Sequence, residues 1–123
     1  MKIQFTFIFL AAALASGYSQ VVTTDPAFPV HDGPVTILFH ADRGDKGLMS
    51  YSGDDVYAHT GVITDKSTSA SDWKYVKASW NTNLAECRLT KLSANEYSLT
   101  LTPDIRRYYG VPAGEKILKL AFV

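Results

Sequence analysis

The residues best suited to chemistry in this sequence are aromatic, amide and amine side chains near the middle of the chain. The set consists of Tyr57, Trp73, Tyr75, Lys77, Trp80 and Asn81, with Asn83 close behind. Flat aromatic faces can stack on the apolar faces of sugar rings, while amides and amines hydrogen-bond the sugar hydroxyls. An exposed pair of these aromatics on one surface would therefore form a carbohydrate-binding platform.

The two tryptophans also have a purely structural interpretation. A β-sandwich commonly buries a central tryptophan in its core, and either Trp73 or Trp80 would serve. We expect at least one of them to be buried. Both faces of the segment from Trp73 to Trp80 are usable in a strand, so its periodicity leaves open which one faces solvent.

Four aspartates flank a glycine-containing loop and form a weaker candidate site. They are Asp42, Asp45, Asp54 and Asp55. Carboxylate oxygens on a flexible loop are the usual ligands of calcium, but this spacing does not match an EF-hand loop. Solvated, turn-forming aspartates are the alternative, so no metal or other cofactor is predicted.

No catalytic residues are predicted. The histidines His31, His40 and His59 lie in different segments and lack the close pairing that marks many metal sites. The only cysteine, Cys87, alternates with Leu89 on an apolar strand, which favours core packing. The sequence contains no Gly-x-Ser-x-Gly elbow, no phosphate loop and no evident acid/base pair of carboxylates. The sequence therefore predicts a protein that is not an enzyme.

Composition narrows the possible partners. Lys plus Arg is 12 and Asp plus Glu is 12, giving a formal net charge of +0. No basic patch for nucleic acid or an acidic membrane surface is indicated. An aromatic content of 12% is typical of a folded chain, and 123 residues allow one domain.

The first 19 residues predict an export signal. A short basic start, Met1-Lys2, precedes a mostly apolar run from Ile3 to Ala15 that is too short to favour a spanning helix. Cleavage is predicted after Ala15 or after Ser19, with the second preferred. A lipoprotein would need a cysteine immediately after the cleavage point, and neither point has one, so lipid anchoring by that route is excluded. A secreted or cell-surface protein without membrane insertion is expected.

Residues 20–34 predict an extended lead-in, with an edge strand at Val21-Val22. Alternating or apolar runs then predict strands, and Pro103 with Gly110 predicts a single helical turn between them. The predicted strands are Val35–Ala41, Val56–Ile63, Trp73–Trp80, Glu86–Leu92, Glu96–Thr102 and Lys116–Val123. In the last of these, alternation places Leu118, Leu120 and Phe122 on one face.

Six or seven short strands with no long helix predict an all-β fold, an immunoglobulin-like β-sandwich over residues 35–123. The sequence stops within an apolar strand, which predicts an unpaired hydrophobic edge and a domain truncated at its C-terminus.

Several strings are distinctive: Asp55–Thr64, Pro103–Arg106, Tyr109–Pro112 and Gly114–Val123. They resemble the N-terminal sandwich module of secreted α-amylase-family proteins of Bacteroidetes, in which the module precedes a glycoside hydrolase barrel. The resemblance implies extracellular handling of α-glucan and assigns no binding residues.

We therefore expect a non-catalytic extracellular accessory module that binds starch-like α-glucan or spaces a downstream glycoside hydrolase of the same protein. The alternative is a structural immunoglobulin-like spacer or protein-interaction domain with no sugar site.

Overall fold

Short antiparallel strands provide most of the regular structure. The computed structural model describes residues 3–6 and 20–123. Its strands are β1 (Ile3–Thr6), β2 (Val22–Asp25), β3 (Val35–His40), β4 (Thr60–Thr64), β5 (Thr90–Ser93), β6 (Glu96–Leu101) and β7 (Ile117–Phe122). One sheet has the order β1-β7-β4 and the other β2-β3-β6-β5. The predicted all-β, sandwich-like fold is confirmed.

Strand β3 shows how the sequence places the core. Val35, Ile37 and Phe39 are buried while the residues between them are partly exposed, as period-two alternation predicts. The strand pairs with β2 on one side and with β6 on the other. The lead-in thus contributes an edge strand to this sheet, and β5 and β6 form the predicted hairpin. The first strand of that hairpin, predicted as Glu86–Leu92, begins only at Thr90, because Ala85–Cys87 form a 3-10 helical turn.

The predicted strand Val56–Ile63 divides into two parts. The amide of Ala58 donates to the carbonyl of Cys87 at 2.9 Å, and the amide of Leu89 donates to the carbonyl of Val56 at 2.9 Å. Only the second part, β4, pairs with β7. Val56–Ala58 therefore lies against the chain leading into β5, and the segment then continues into the other sheet.

The predicted strand Trp73–Trp80 is wrong. Tyr75 has a φ of 52°, in the left-handed region, so the chain is not extended there. The segment is an irregular edge held to β4: Lys74 exchanges backbone hydrogen bonds with Val62 at 2.7 and 2.9 Å, and the Lys77 amide donates to Thr60 at 3.0 Å. A Cβ atom on Gly61 would lie 3.1 Å from the Lys74 carbonyl oxygen, so glycine permits this approach.

Strand β7 also differs from its predicted pattern. Leu120 and Phe122 are buried, but Leu118 is 47% exposed. Opposite β4, Ile63 pairs with Lys119 and Thr64 with Ile117, so Leu118 is the extra residue of a bulge. The edge predicted to be unpaired is occupied by β1, whose Ile3 lies opposite Phe122. The rest of the predicted leader, apart from these four residues, lies outside the described part of the chain.

The predicted helical turn is a short helix, α1 (Ile105–Tyr109). The Asp104 side chain accepts a hydrogen bond from the Arg107 amide at 2.7 Å, and Gly110 ends the helix at a φ of 75°. In the described ranges, no helix is long and apolar enough to cross a membrane.

The core lies between the sheets and includes one side of α1. Its largest fully buried side chains are Tyr97, Leu101, Ile105 and Leu120. Cys87 is also buried, with its Sγ 3.6 Å from the Tyr108 hydroxyl, so the predicted core position of this thiol is confirmed.

Candidate functional site

Part of the predicted carbohydrate-binding set surrounds a shallow surface pocket of about 160 Å³, which we call the Trp80 pocket. It is lined by Tyr57, Ala58, His59, Trp80, Asn81, Thr82, Asn83 and Val123. The structure thus brings together Tyr57, Trp80 and Asn81 from the predicted set.

A stack of three aromatic rings fixes the wall of the pocket. The His59 ring meets Trp80 edge-on, with centroids 4.9 Å apart at 87°. The His59 ring also stacks with Trp73, with centroids 5.9 Å apart at 28°. Trp80 is 61% exposed and Trp73 is partly exposed, so the expectation that at least one of the two tryptophans is buried is wrong. Trp80 is the ring of this stack that is more exposed to solvent.

The backbone positions both His59 and Trp80. His59 and Val123 exchange two backbone hydrogen bonds, of 3.0 and 2.8 Å, which continue the pairing of β4 with β7. Trp80 lies in a turn closed by a 3.1 Å bond from the Thr82 amide to the Ser79 carbonyl. Within that turn Asn81 has a φ of 66°, a conformation that asparagine tolerates better than most residues. Trp80 and the polar residues after it therefore project together.

Polar groups stand beside the exposed tryptophan. Asn81, Thr82 and Asn83 are all exposed, and their amide and hydroxyl groups can both donate and accept hydrogen bonds. Tyr57 lines the same pocket, with the Arg88 guanidinium 5.9 Å from its ring centroid.

Two members of the predicted set lie elsewhere and serve internal contacts. The Tyr75 hydroxyl donates to Glu115 Oε1 at 2.6 Å. The Lys77 ammonium contacts Glu86 Oε2 at 2.9 Å and donates to the Tyr108 carbonyl at 2.9 Å. Neither side chain lines the Trp80 pocket, so both hold the irregular edge in place instead.

His59 was missing from the aromatic set predicted from sequence. It follows Tyr57 by two residues in a segment predicted to be extended, so both side chains were expected on one face. That spacing was the available signal. The position of the His59 ring between two tryptophans, however, depends on the irregular path of residues 73–80.

Three of the four calcium candidates have local partners. Asp45 Oδ1 accepts from the Gly47 amide at 3.1 Å, and Asp54 Oδ1 lies 3.4 Å from the Arg88 guanidinium. The Tyr51 hydroxyl donates to Asp55 at 2.6 Å and holds the pKa of that carboxyl below its ordinary value. Among residues 20–123 no group of three His, Cys, Asp or Glu side chains, with or without Asp42, is placed to hold a metal ion.

Glu115 is a buried carboxylate behind the irregular edge, with only 3% of its side chain exposed. It accepts hydrogen bonds from the hydroxyls of Thr64 and Tyr75, each at 2.6 Å. These bonds favour the ionised form and hold the pKa of Glu115 below its ordinary value. This carboxylate therefore joins β4 and the Tyr75 segment to the turn before β7.

We expect replacement of Glu115 by glutamine to destabilise the protein at pH 7 and to make its stability less sensitive to acid. A carboxyl whose folded-state pKa is depressed stabilises the fold above its unfolded pKa, about 4.3, and that contribution is lost as pH falls through the folded value. Urea denaturation at a series of pH values from 7 to 3 should show the wild-type and E115Q curves converging in acid. Parallel curves would contradict this role. Asp32→Asn, which neutralises an exposed carboxylate, is the control.

The Trp80 pocket therefore presents the Trp80 ring, which is held against His59, next to a row of hydrogen-bonding side chains. This combination suits a ring that is apolar on its face and hydroxylated at its rim.

No protein-family model matches the sequence, and no curated protein matches it.

Proposed function

We propose that this domain is a non-catalytic, extracellular accessory module that binds a starch-like α-glucan at the Trp80 pocket. One observation carries the proposal: Trp80 is 61% exposed, yet its ring is held edge-on against His59. A large exposed aromatic with a fixed orientation can bind a ligand at a smaller entropic cost than a mobile one.

The shape and chemistry of the pocket support binding without hydrolysis. The pocket is open and shallow, so a polymer can cross it instead of entering it end-first. Glycoside hydrolysis ordinarily uses a pair of carboxylic acids, and the described residues that line the Trp80 pocket include no Asp or Glu. The choice of α-glucan, the placement before a glycoside hydrolase and the secreted location rest on the sequence resemblance and on the export signal.

The test is affinity electrophoresis of the purified domain in gels with and without soluble starch. Wild-type protein should be retarded by starch, and Trp80→Ala should weaken its affinity by about tenfold or more, since a lost stacking contact of about 1.5 kcal/mol has that effect. Asn83→Ala should weaken retardation by a smaller factor, because it removes hydrogen bonds only.

Two controls separate binding from folding. Val76→Ala changes another exposed apolar residue, on the irregular edge but outside the pocket, and should migrate like wild type. A gel containing hydroxyethylcellulose tests whether an α-linked polymer is required. Equal mobility of the wild-type domain with and without starch would refute glucan binding.

The structural spacer remains the second candidate, because Tyr75 and Lys77 serve internal contacts and Trp73 lies behind His59. Under that hypothesis Trp80→Ala would alter neither mobility in starch nor the unfolding midpoint. The exposure of Trp80 favours the sugar-binding proposal, since a spacer gains nothing from an ordered aromatic ring in solvent.

A further inference from the structure

A second and larger opening lies between the two sheets. It has a volume of about 390 Å³ and draws its walls from both sheets. Six of its lining residues are Val22, Phe39, Val56, Leu89, Leu99 and Phe122. All six are buried hydrophobic residues of the core cluster. The opening is therefore a gap in the core, not a depression in the polar surface.

A gap of this size is unusual for a small sandwich. Protein interiors are packed about as densely as organic crystals, and most voids in them are no larger than a water molecule. A volume of 390 Å³ falls instead in the range of small-molecule sites, roughly 300–1,000 Å³. Water gains few hydrogen bonds against such walls, so an apolar guest is favoured over it.

The charge at the opening limits the class of guest. Asp45 is the one charged side chain among the described lining residues, and no lysine or arginine lines the cavity. A carboxylate ligand such as a fatty acid would find no cationic partner there and would be repelled by Asp45. A hydroxyl group could donate to the same carboxylate.

We propose that this cavity is a binding site for a small uncharged apolar molecule, of which a long-chain alcohol is the representative class. The apolar part lies between the sheets against Phe39, Leu99 and Phe122. The hydroxyl lies toward Asp45 at the rim. This site borders the Trp80 pocket, since Tyr57, Ala58 and Val123 line both, but it takes a ligand of different chemistry.

The direct test uses N-phenyl-1-naphthylamine, a neutral dye whose fluorescence rises when it leaves water. We expect saturable binding by the natively folded domain, together with a higher thermal unfolding midpoint in the presence of dye, because a ligand of the native state stabilises it. Dye fluorescence that appears only as the protein unfolds would overturn the proposal.

Filling the cavity tests its position. Val56→Phe places a larger side chain in the void and should weaken dye binding by about tenfold, whereas Val30→Phe makes the same change at an exposed site and should leave binding unchanged. Equal binding by both variants would refute the location. If Val56→Phe does not unfold cooperatively, Leu89→Phe serves as the filling variant.

Competition tests the charge argument. Decanol should displace the dye at a concentration about tenfold lower than decanoate does at pH 7, and Asp45→Asn should narrow that difference. Stronger displacement by decanoate would reject the uncharged class of ligand.

Discussion

Replacing Leu120 with alanine should lower the free energy of unfolding by about 3–4 kcal/mol. Leu120 is fully buried and sits in the middle of β7, where it lies opposite Val62, another fully buried residue. The substitution removes apolar contacts within the core cluster. It also leaves a cavity that paired strands can close only partly, so a cavity cost adds to the lost transfer free energy.

Leu118→Ala is the matched control, because it makes the same substitution two residues away in the same strand. Leu118 is 47% exposed, and we expect its replacement to change stability by only about 0.5 kcal/mol or less. Urea unfolding followed by tryptophan fluorescence measures both variants. Similar losses for the two would mean that the bulge is absent and that Leu118 faces the core.

The contrast between these leucines shows where alternation in the sequence fails to predict side-chain orientation. Alternation in β7 placed Leu118 and Leu120 on one face, and that follows for an uninterrupted strand. The bulge at Leu118 inserts one extra residue opposite β4, which reverses the alternation of side chains between the two faces of the sheet. Ile117 therefore packs against the core in place of Leu118. A bulge depends on how two strands meet, which the pattern of one strand does not contain.

Patterns succeeded where local sequence and tertiary environment agree. In β3 every second residue from Val35 is apolar, and each of these residues reaches the core between the sheets. The helix α1 has its own end signals in Asp104 and Gly110, which act within a few residues and need no distant partner. These elements were therefore predictable from sequence.

The candidate site was only partly predictable for the same reason. The predicted strand over residues 73–80 assigned alternate side chains to its two faces, but the left-handed conformation of Tyr75 breaks that alternation. As a result Tyr75 reaches Glu115 and Trp73 lies behind His59, while Trp80 is left in solvent. The composition of the site was visible in the sequence, but its arrangement depends on the contacts of the irregular edge with β4.

Two tyrosines of the core should respond differently to loss of their hydroxyl groups. The Tyr109 hydroxyl lies 2.7 Å from Thr60 Oγ1, and Thr60 uses its own proton to donate to the Ala121 carbonyl, also at 2.7 Å. Tyr109 must therefore be the donor to Thr60. Burial raises the pKa of Tyr109, which keeps the hydroxyl protonated and able to donate.

For Tyr109→Phe we expect a loss of about 1–2 kcal/mol of unfolding free energy, because one buried hydrogen bond disappears and its acceptor stays buried. For Tyr97→Phe we expect no loss, or a gain of up to about 1 kcal/mol, because the Tyr97 hydroxyl is buried with no hydrogen-bond partner among the described residues. Phenylalanine preserves ring packing at both positions, including the contact of Tyr97 with Phe39 at 5.9 Å, so the difference isolates the hydroxyl groups. Urea denaturation at pH 7 measures both variants, and an equal loss at the two positions would show that Tyr97 also donates a stabilising hydrogen bond.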